Sequence, residues 1–165
     1  MKKGYLITSG VFALLTAAAP ALAFDPIVVI GGQAPVIHPG GGTMEVLATK
    51  AQTDGVFGMV TTAGVDTADS GPGLIMHNNF IEMWYVLDGT YEFTAGGKTY
   101  EGGPGTFVAV DKGQAHTFKA KTPGKLLMIY SPGGFDQFFM DWEKQGLAFG
   151  PELGALEASY GVTRP

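Results

Sequence analysis

The sequence predicts an all-β domain, a sandwich or barrel of antiparallel strands, followed by two helices. Short apolar or alternating segments recur along the chain, and turns rich in glycine, proline and aspartate separate them. The 165 residues include 26 glycines and 10 prolines, and 45% of the residues are hydrophobic, which is typical of an ordered, turn-rich fold. After residue 134 the pattern changes to aromatic residues at helical spacing. A chain of this length is expected to form one domain.

Residues 1–23 have the three parts of a secretory signal peptide. Two lysines form a basic start, residues 5–19 are apolar but too short to span a bilayer comfortably, and Ala21-Leu22-Ala23 resembles a cleavage site. An uncleaved anchor or a buried helix is the alternative interpretation. We expect cleavage after Ala23, which leaves residues 24–165 as a single domain in the periplasm or the medium.

The charge and cysteine content exclude several classes of function. Two of the ten basic residues and none of the fifteen acidic residues lie in the leader, so residues 24–165 carry a formal charge of −7. Nucleic acid is not an expected partner, because phosphate binding needs clustered lysine and arginine. No segment after the leader is apolar enough to cross a bilayer. The chain has no cysteine, which excludes disulfides, thiol chemistry and a lipid anchor at the cleavage site.

The first half of the domain is predicted to form short strands separated by turns. The turn at Thr53–Gly55 and the polar loop at Gly64–Gly73 divide this region, and Gly58 marks a possible bulge. The predicted strands are Val28–Ile30, Val36–Ile37, Thr43–Lys50, Val56–Thr62 and Leu74–His77, the first two being edge strands.

The second half is predicted to continue in the same way. Asp88-Gly89 is a strong hairpin signal that would join Glu82–Leu87 to a return strand at Tyr91–Ala95, and Gly96-Gly97 would form another hairpin. The further predicted strands are Lys98–Glu101, Thr106–Val110, His116–Lys119 and Lys125–Tyr130.

Two helices are predicted after these strands. Phe135–Gln145 has aromatic residues at helical spacing, and Pro151–Tyr160 begins with a proline, which is favourable at a helix start. We expect this C-terminal extension, over about residues 135–160, to pack outside the barrel with its aromatic residues in the core.

Alternation along the strands suggests where chemistry could occur. Successive side chains of a strand point to opposite faces, so Ile75 shares a face with His77, and Glu82 shares one with Trp84. If these faces and that of His116 all point inward, His77, Glu82 and His116 converge. Two imidazoles and a carboxylate form a facial triad that leaves coordination positions open for water, substrate or dioxygen. Three protein ligands and an open position also suit a catalytic zinc.

Other candidate motifs carry little weight. No glycine run is followed by the residues of a phosphate-binding loop, and neither a Gly-x-Ser-x-Gly nor a His-Glu-x-x-His pattern occurs. His38 has no convergent partners in the sequence and is predicted to be a surface histidine.

Residues 73–89 (GLIMHNNFIEMWYVLDG) and 105–116 (GTFVAVDKGQAH) resemble the two motifs of the cupin superfamily, in particular small quercetin-dioxygenase-like cupins with one domain. The resemblance covers most of residues 24–165 and implies an antiparallel double-stranded β-helix, the jelly-roll barrel of that superfamily. The matching positions are His77, Glu82 and Gly89 in the first motif and Gly105, Gly113 and His116 in the second.

The chain departs from the family pattern at three positions. The first histidine of the family falls on Ile75, the proline of the second motif on Asp111, and the asparagine after the last histidine on Ala120. Isoleucine cannot bind a metal, so the resemblance implies a site with three ligands where the family has four.

Two interpretations of the reduced site remain open. In the first, His77, Glu82 and His116 still bind a divalent metal (Fe, Mn, Ni, Zn or Cu), and the amide of Asn79 could add a ligand unless it lies in the turn. In the second, the metal has been lost, and the barrel is a binding pocket in which His77, Glu82 and His116 contact a ligand or act as acid and base.

An apolar wall at position 75 favours an apolar or aromatic small molecule. We therefore expect an exported, oxygenase-like enzyme, with a metal-free small-molecule binding protein or a metal-independent isomerase or cyclase as alternatives. Cupin-like relatives imply a homodimer, in which the extended N-terminal segment could cross between subunits. The side chains predicted to line the pocket are Ile75, Trp84, Phe93, Phe118 and Met128.

Overall fold

A computed structural model describes residues 24–62 and 71–165 of the chain. The predicted signal peptide lies outside the described residues, and so does most of the predicted loop at residues 64–73.

The described residues form eleven strands, two α-helices and a short 3₁₀ helix at Pro39–Gly41. The strands are β1 (Val36–Ile37), β2 (Met44–Ala48), β3 (Gly58–Thr62), β4 (Met76–His77), β5 (Ile81–Asp88), β6 (Tyr91–Ala95), β7 (Lys98–Gly102), β8 (Phe107–Val110), β9 (His116–Ala120), β10 (Lys125–Ser131) and β11 (Val162–Thr163). The helices are α1 (Phe135–Gln145) and α2 (Pro151–Ser159).

Three antiparallel sheets form a jelly roll, which confirms the predicted fold class. The largest sheet has the strand order β1-β2-β3-β10-β5-β8, the second has the order β7-β6-β9, and β11 pairs with β4. A single bridge between Ile75 and His116 connects the short sheet to β9. The sheets therefore remain separate sheets that enclose one core, rather than one continuous closed sheet.

The core lies between the two larger sheets. Alternate residues of β10 and β5 point inward, as the period of two in their burial shows. Trp84 of β5 stacks on Phe93 of β6 with ring centroids 5.4 Å apart, which places side chains of the two sheets in direct contact. Val86, Tyr91 and Leu126 are fully buried around this pair. Burial of each large apolar side chain stabilises the fold by about 1.5–3 kcal/mol.

The predicted hairpin at Asp88-Gly89 is wrong, because the chain changes sheets there. β5 pairs with β10 and β8, whereas β6 pairs with β7 and β9. Gly89 has φ +78°, and a Cβ added at it would lie 2.6 Å from the carbonyl oxygen of Pro123. The turn therefore packs directly against the turn that precedes β10. An Asp-Gly pair provides the left-handed conformation that either kind of turn needs.

Two further predictions are corrected near the ends of the sheets, and one strand lies outside the predicted set. Val28–Ile30 forms no strand, and Val28 and Ile30 are exposed, because no neighbouring strand pairs with this segment. Register irregularities lie between Val46 and Ala48 of β2 and between Lys125 and Leu126 of β10, whereas Gly58 pairs regularly with Tyr130. The two-residue strand β11 was not predicted, since so short a segment has no detectable alternation.

The two predicted helices are present and lie outside the sheets. Phe135 and Phe138 of α1 are buried and stack with centroids 4.8 Å apart. The carboxylate of Asp136 accepts hydrogen bonds from the backbone N–H groups of Lys50 (2.9 Å) and Gly134 (2.8 Å), which attaches the start of α1 to the segment after β2. Within residues 24–62 and 71–165, neither helix has the length and hydrophobicity that a membrane crossing requires.

Replacing Gly89 with alanine should destabilise the fold more than the same change at Gly97 in the β6–β7 hairpin. Gly97 has nearly the same φ, +74°, but nothing lies within 4 Å of an added Cβ. Both variants incur the left-handed penalty of about 1–2 kcal/mol. Gly89→Ala should lose about 1–3 kcal/mol more through the steric overlap with Pro123. Urea unfolding of both variants measures the difference, and equal losses would contradict the close packing of the two turns.

Candidate metal centre

His77, Glu82 and His116 converge in the interior, as the alternation of the strands predicts. They come from the separate strands β4, β5 and β9, and their exposed fractions are 0%, 4% and 0%. One ligand atom of each residue lies within 4.8 Å of the others. A backbone hydrogen bond attaches His77 to the second motif: the N–H of Gly113 donates to the carbonyl oxygen of His77 over 2.8 Å.

The carboxylate of Glu82 lies at the centre of the cluster. Its Oε2 is 3.1 Å from Nε2 of His77 and 3.3 Å from Nε2 of His116. Its Oε1 accepts a hydrogen bond of 2.8 Å from Nε1 of Trp84. The indole therefore orients the carboxylate so that one oxygen faces both imidazoles.

The hydrogen bond at Nδ1 of His116 determines the tautomer of its imidazole ring. Nδ1 of His116 is 2.7 Å from the carbonyl oxygen of Gln114, and because a carbonyl can only accept, Nδ1 carries the hydrogen. In the neutral ring, Nε2 then presents a lone pair to Oε2 of Glu82, and it has no hydrogen-bond partner among the described residues. Two acceptors in this arrangement repel each other unless a proton or a metal cation lies between them.

The donor set fits a divalent cation. Two ligand atoms that are each ~2.1 Å from one ion at tetrahedral or octahedral angles are separated by roughly 3.0–3.4 Å. The two distances from Oε2 of Glu82 to the imidazole nitrogens, 3.1 and 3.3 Å, fall in that range. Imidazole and carboxylate are ligands that Fe, Mn, Ni, Zn and Cu all accept, so the donor set does not by itself select one metal.

Electrostatics keep Glu82 ionised. Burial would raise the pKa of its carboxyl, but the polar contacts and favourable electrostatic interactions with His116 and His77 outweigh that effect and lower the pKa. Tyr130 shows the opposite behaviour, because burial and the negative charges of Glu82 and Asp136 raise its pKa well above the ordinary value. Tyr130 therefore contributes a neutral hydroxyl beside a negatively charged carboxylate.

Ile75 occupies the position at which a fourth ligand would have been expected. Its backbone exchanges two hydrogen bonds with His116, of 2.9 and 2.8 Å, which makes it a direct neighbour of a cluster residue. The side chain is buried and lines a cavity next to Glu82. Asn79 is exposed in the turn before β5, beside Gly161, and does not join the cluster. The exposed position of His38 agrees with the prediction of a surface histidine.

A cavity of about 590 Å³ extends from Glu82. Three of the five predicted pocket residues line it: Ile75, Phe118 and Met128. Trp84 and Phe93 do not, because they stack on each other in the core between the sheets. For these two residues the pocket prediction is wrong: the inward face of a strand can point into packed core as well as into open space.

Helix α1 provides a large part of the cavity wall, which the sequence did not reveal. Aromatic residues at helical spacing indicate an apolar face, but they do not show whether that face covers packed core or open space. The C-terminal segment also contributes, with Glu157, Val162 and Arg164. The aromatic side chains around the cavity include Phe118, Tyr130, Phe135, Phe138, Phe139 and Trp142.

Comparisons with known proteins agree with this architecture. A family model described as a cupin domain matches residues 65–130. The search of curated protein sequences gave no significant match.

Solved structures with this fold share little sequence with the chain. An RmlC-like cupin from Shewanella frigidimarina has a TM-score of 0.58 and 18% identity, and the alignment covers 69% of this chain and 97% of that one. A predicted oxalate decarboxylase from Thermotoga maritima has a TM-score of 0.52 and 22% identity, with coverages of 64% and 98%. Ectoine synthase from P. lautus has a TM-score of 0.50 and 20% identity, with coverages of 74% and 74%. At these identities the similarity concerns the fold alone.

Replacing Trp84 with phenylalanine should destabilise the protein by about 1–3 kcal/mol, because Oε1 of Glu82 loses its donor while it remains buried. Methionine at position 82 removes the acceptor at similar side-chain size. In a Glu82→Met background, Trp84→Phe should cost about 0.5–3 kcal/mol less, which is the coupling between the two groups. Urea unfolding of the four proteins in a chelator-containing buffer measures this double-mutant cycle. Equal costs in both backgrounds would show that the indole does not support the carboxylate.

Proposed function

We propose that this chain, a member of the cupin superfamily, is a metal-dependent, oxygenase-like enzyme acting on a small apolar or aromatic molecule. His77, Glu82 and His116 would bind one divalent metal ion. The observation that carries the proposal is the unpartnered Nε2 of buried His116, which faces Oε2 of Glu82 at 3.3 Å. The ion would supply positive charge and open coordination positions for small-molecule chemistry.

Neighbouring residues would hold the metal-binding side chains in the required orientation. Trp84 orients the carboxylate of Glu82 through its indole N–H, and the carbonyl of Gln114 holds the hydrogen of the neutral His116 ring on Nδ1. Such supporting contacts commonly change metal affinity by about 10–100-fold when they are lost. The solved structures with this fold are named as different kinds of protein, so the proposal rests on these side chains and not on the fold.

The cavity supports the substrate class. Its wall includes Ile75, Phe118 and Met128 as well as Glu82, and aromatic residues of α1 form a further part of it. A volume of about 590 Å³ is within the usual range for a small-molecule site. Apolar walls would exclude water from the buried carboxylate and favour a ring or an aliphatic chain.

A second candidate function is that of a binding protein without a metal. Ile75 favours it, because the loss of one imidazole ligand weakens metal binding. In that case the imidazoles and Glu82 would form hydrogen bonds to a ligand directly.

For either function we also propose export to the periplasm or the medium, on the basis of the leader in residues 1–23, and a homodimeric state.

Metal content distinguishes the two functions. Protein purified from its native compartment should contain about one divalent metal ion per chain by elemental analysis. Ile75→His, which adds an imidazole next to His116, should raise metal affinity at least about tenfold, whereas Ile75→Leu should leave it unchanged. Wild-type protein that stays empty after reconstitution, beside an Ile75→His variant that fills, would rule out the metal enzyme in favour of the binding protein.

Chelation offers an independent check. Metal that binds only the folded state stabilises it by mass action, so a chelator should lower the Tm of the wild-type protein. The same chelator should have no effect on a His116→Gln variant, which lacks one of three ligands. If chelator leaves the wild-type Tm unchanged while an apolar ligand raises it equally in both buffers, the binding protein is the correct function.

A further inference from the structure

Arg164 is the single arginine of the chain, and it lies at the wall of the cavity. It follows β11, whose residue Val162 pairs with His77, so the C-terminal segment begins beside the strand that carries a cluster residue. Three charged side chains line this cavity among the described residues: Glu82, Glu157 and Arg164. Arg164 is the one with a positive charge.

Hydrogen bonds hold the guanidinium of Arg164 in position, but they do not occupy all of its N–H donors. Its Nη1 donates to the carbonyl oxygen of Pro72 over 2.7 Å, and its Nη2 is 2.7 and 2.8 Å from the two carboxylate oxygens of Glu157. Both oxygens of Glu157 therefore contact one nitrogen. A guanidinium carries several N–H donors in a planar fork, and Nε has no acceptor within residues 24–62 and 71–165. The side chain remains 51% exposed, so a ligand can reach these donors.

We propose that the substrate of this cavity carries a carboxylate and that Arg164 binds it. This inference rests on the proposed function and specifies its substrate class as small aromatic or aliphatic carboxylic acids. The planar fork of arginine matches the two oxygens of a carboxylate. The apolar part of such a molecule would lie among Phe118, Phe138 and Trp142, and the carboxylate would lie at the C-terminal wall.

Glu157 limits the strength of this recognition. Its carboxylate compensates the charge of Arg164 and repels an anionic ligand, while it also fixes the orientation of the guanidinium. A charge-assisted hydrogen bond contributes more than a neutral one, and after this compensation we expect a preference of about tenfold for an acid over its amide.

Hydrocinnamate and hydrocinnamamide are matched probes, because they share one ring and one chain length and differ in charge. Calorimetric titration of the purified protein in chelator-containing buffer prevents the acid from binding through a metal. Hydrocinnamate should bind about tenfold more tightly than the amide. Arg164→Gln should abolish this preference with little change in the affinity for the amide. Lys98→Gln, which removes one positive charge from the exposed β7, should retain it.

Equal binding of the two probes by the wild-type protein would overturn the assignment, and so would a preference that survives in Arg164→Gln. Absence of binding of both probes at millimolar concentration would also overturn it. The comparison of two probes on the wild-type protein does not depend on whether a variant folds. Failure here is distinguishable from failure of the proposed function, because metal content is measured without either probe.

Discussion

The buried carboxylate of Glu82 is the group on which the rest of the site depends. Removal of a carboxylate from water costs several kcal/mol unless other groups compensate it. Here the indole of Trp84 satisfies one oxygen, and the imidazoles of His77 and His116 face the other. The compensation requires side chains from three strands at fixed distances. The fold and the site are therefore coupled through this one group.

Several long-range contacts hold those strands at the required distances. The backbone bridge between Ile75 and His116 connects two parts of the cluster, and β11 pairs with the strand that carries His77. Stacking of Phe80 on His77, with ring centroids 3.8 Å apart, restricts the imidazole from the other side. Because the bridge and the β11–β4 pairing join residues distant in sequence, the geometry of the cluster depends on completion of the whole jelly roll.

The cavity has two chemically different ends. Of the three cluster residues Glu82 lines the cavity, as does the apolar side chain of Ile75, and Arg164 and Glu157 line it from the C-terminal part of the chain. Such an arrangement suits a molecule with an apolar body and one polar group, because each end recognises a different part of it. Ile75 adds no ligand group to the cluster of His77, Glu82 and His116, and it makes the cavity wall more apolar.

The amino-acid sequence alone determined most of the strands, the hairpin at Gly96-Gly97 and both helices, and it singled out His77, Glu82 and His116 as residues that could converge. These features depend on local alternation and turn chemistry, which a short window of residues expresses. Only the tertiary structure decided that Asp88-Gly89 joins two sheets, that Trp84 and Phe93 fill the core, and that α1 and Arg164 line the cavity. These features depend on which distant segment packs against each element. The local sequence is compatible with a hairpin or a sheet-to-sheet turn, and with packed core or a cavity wall.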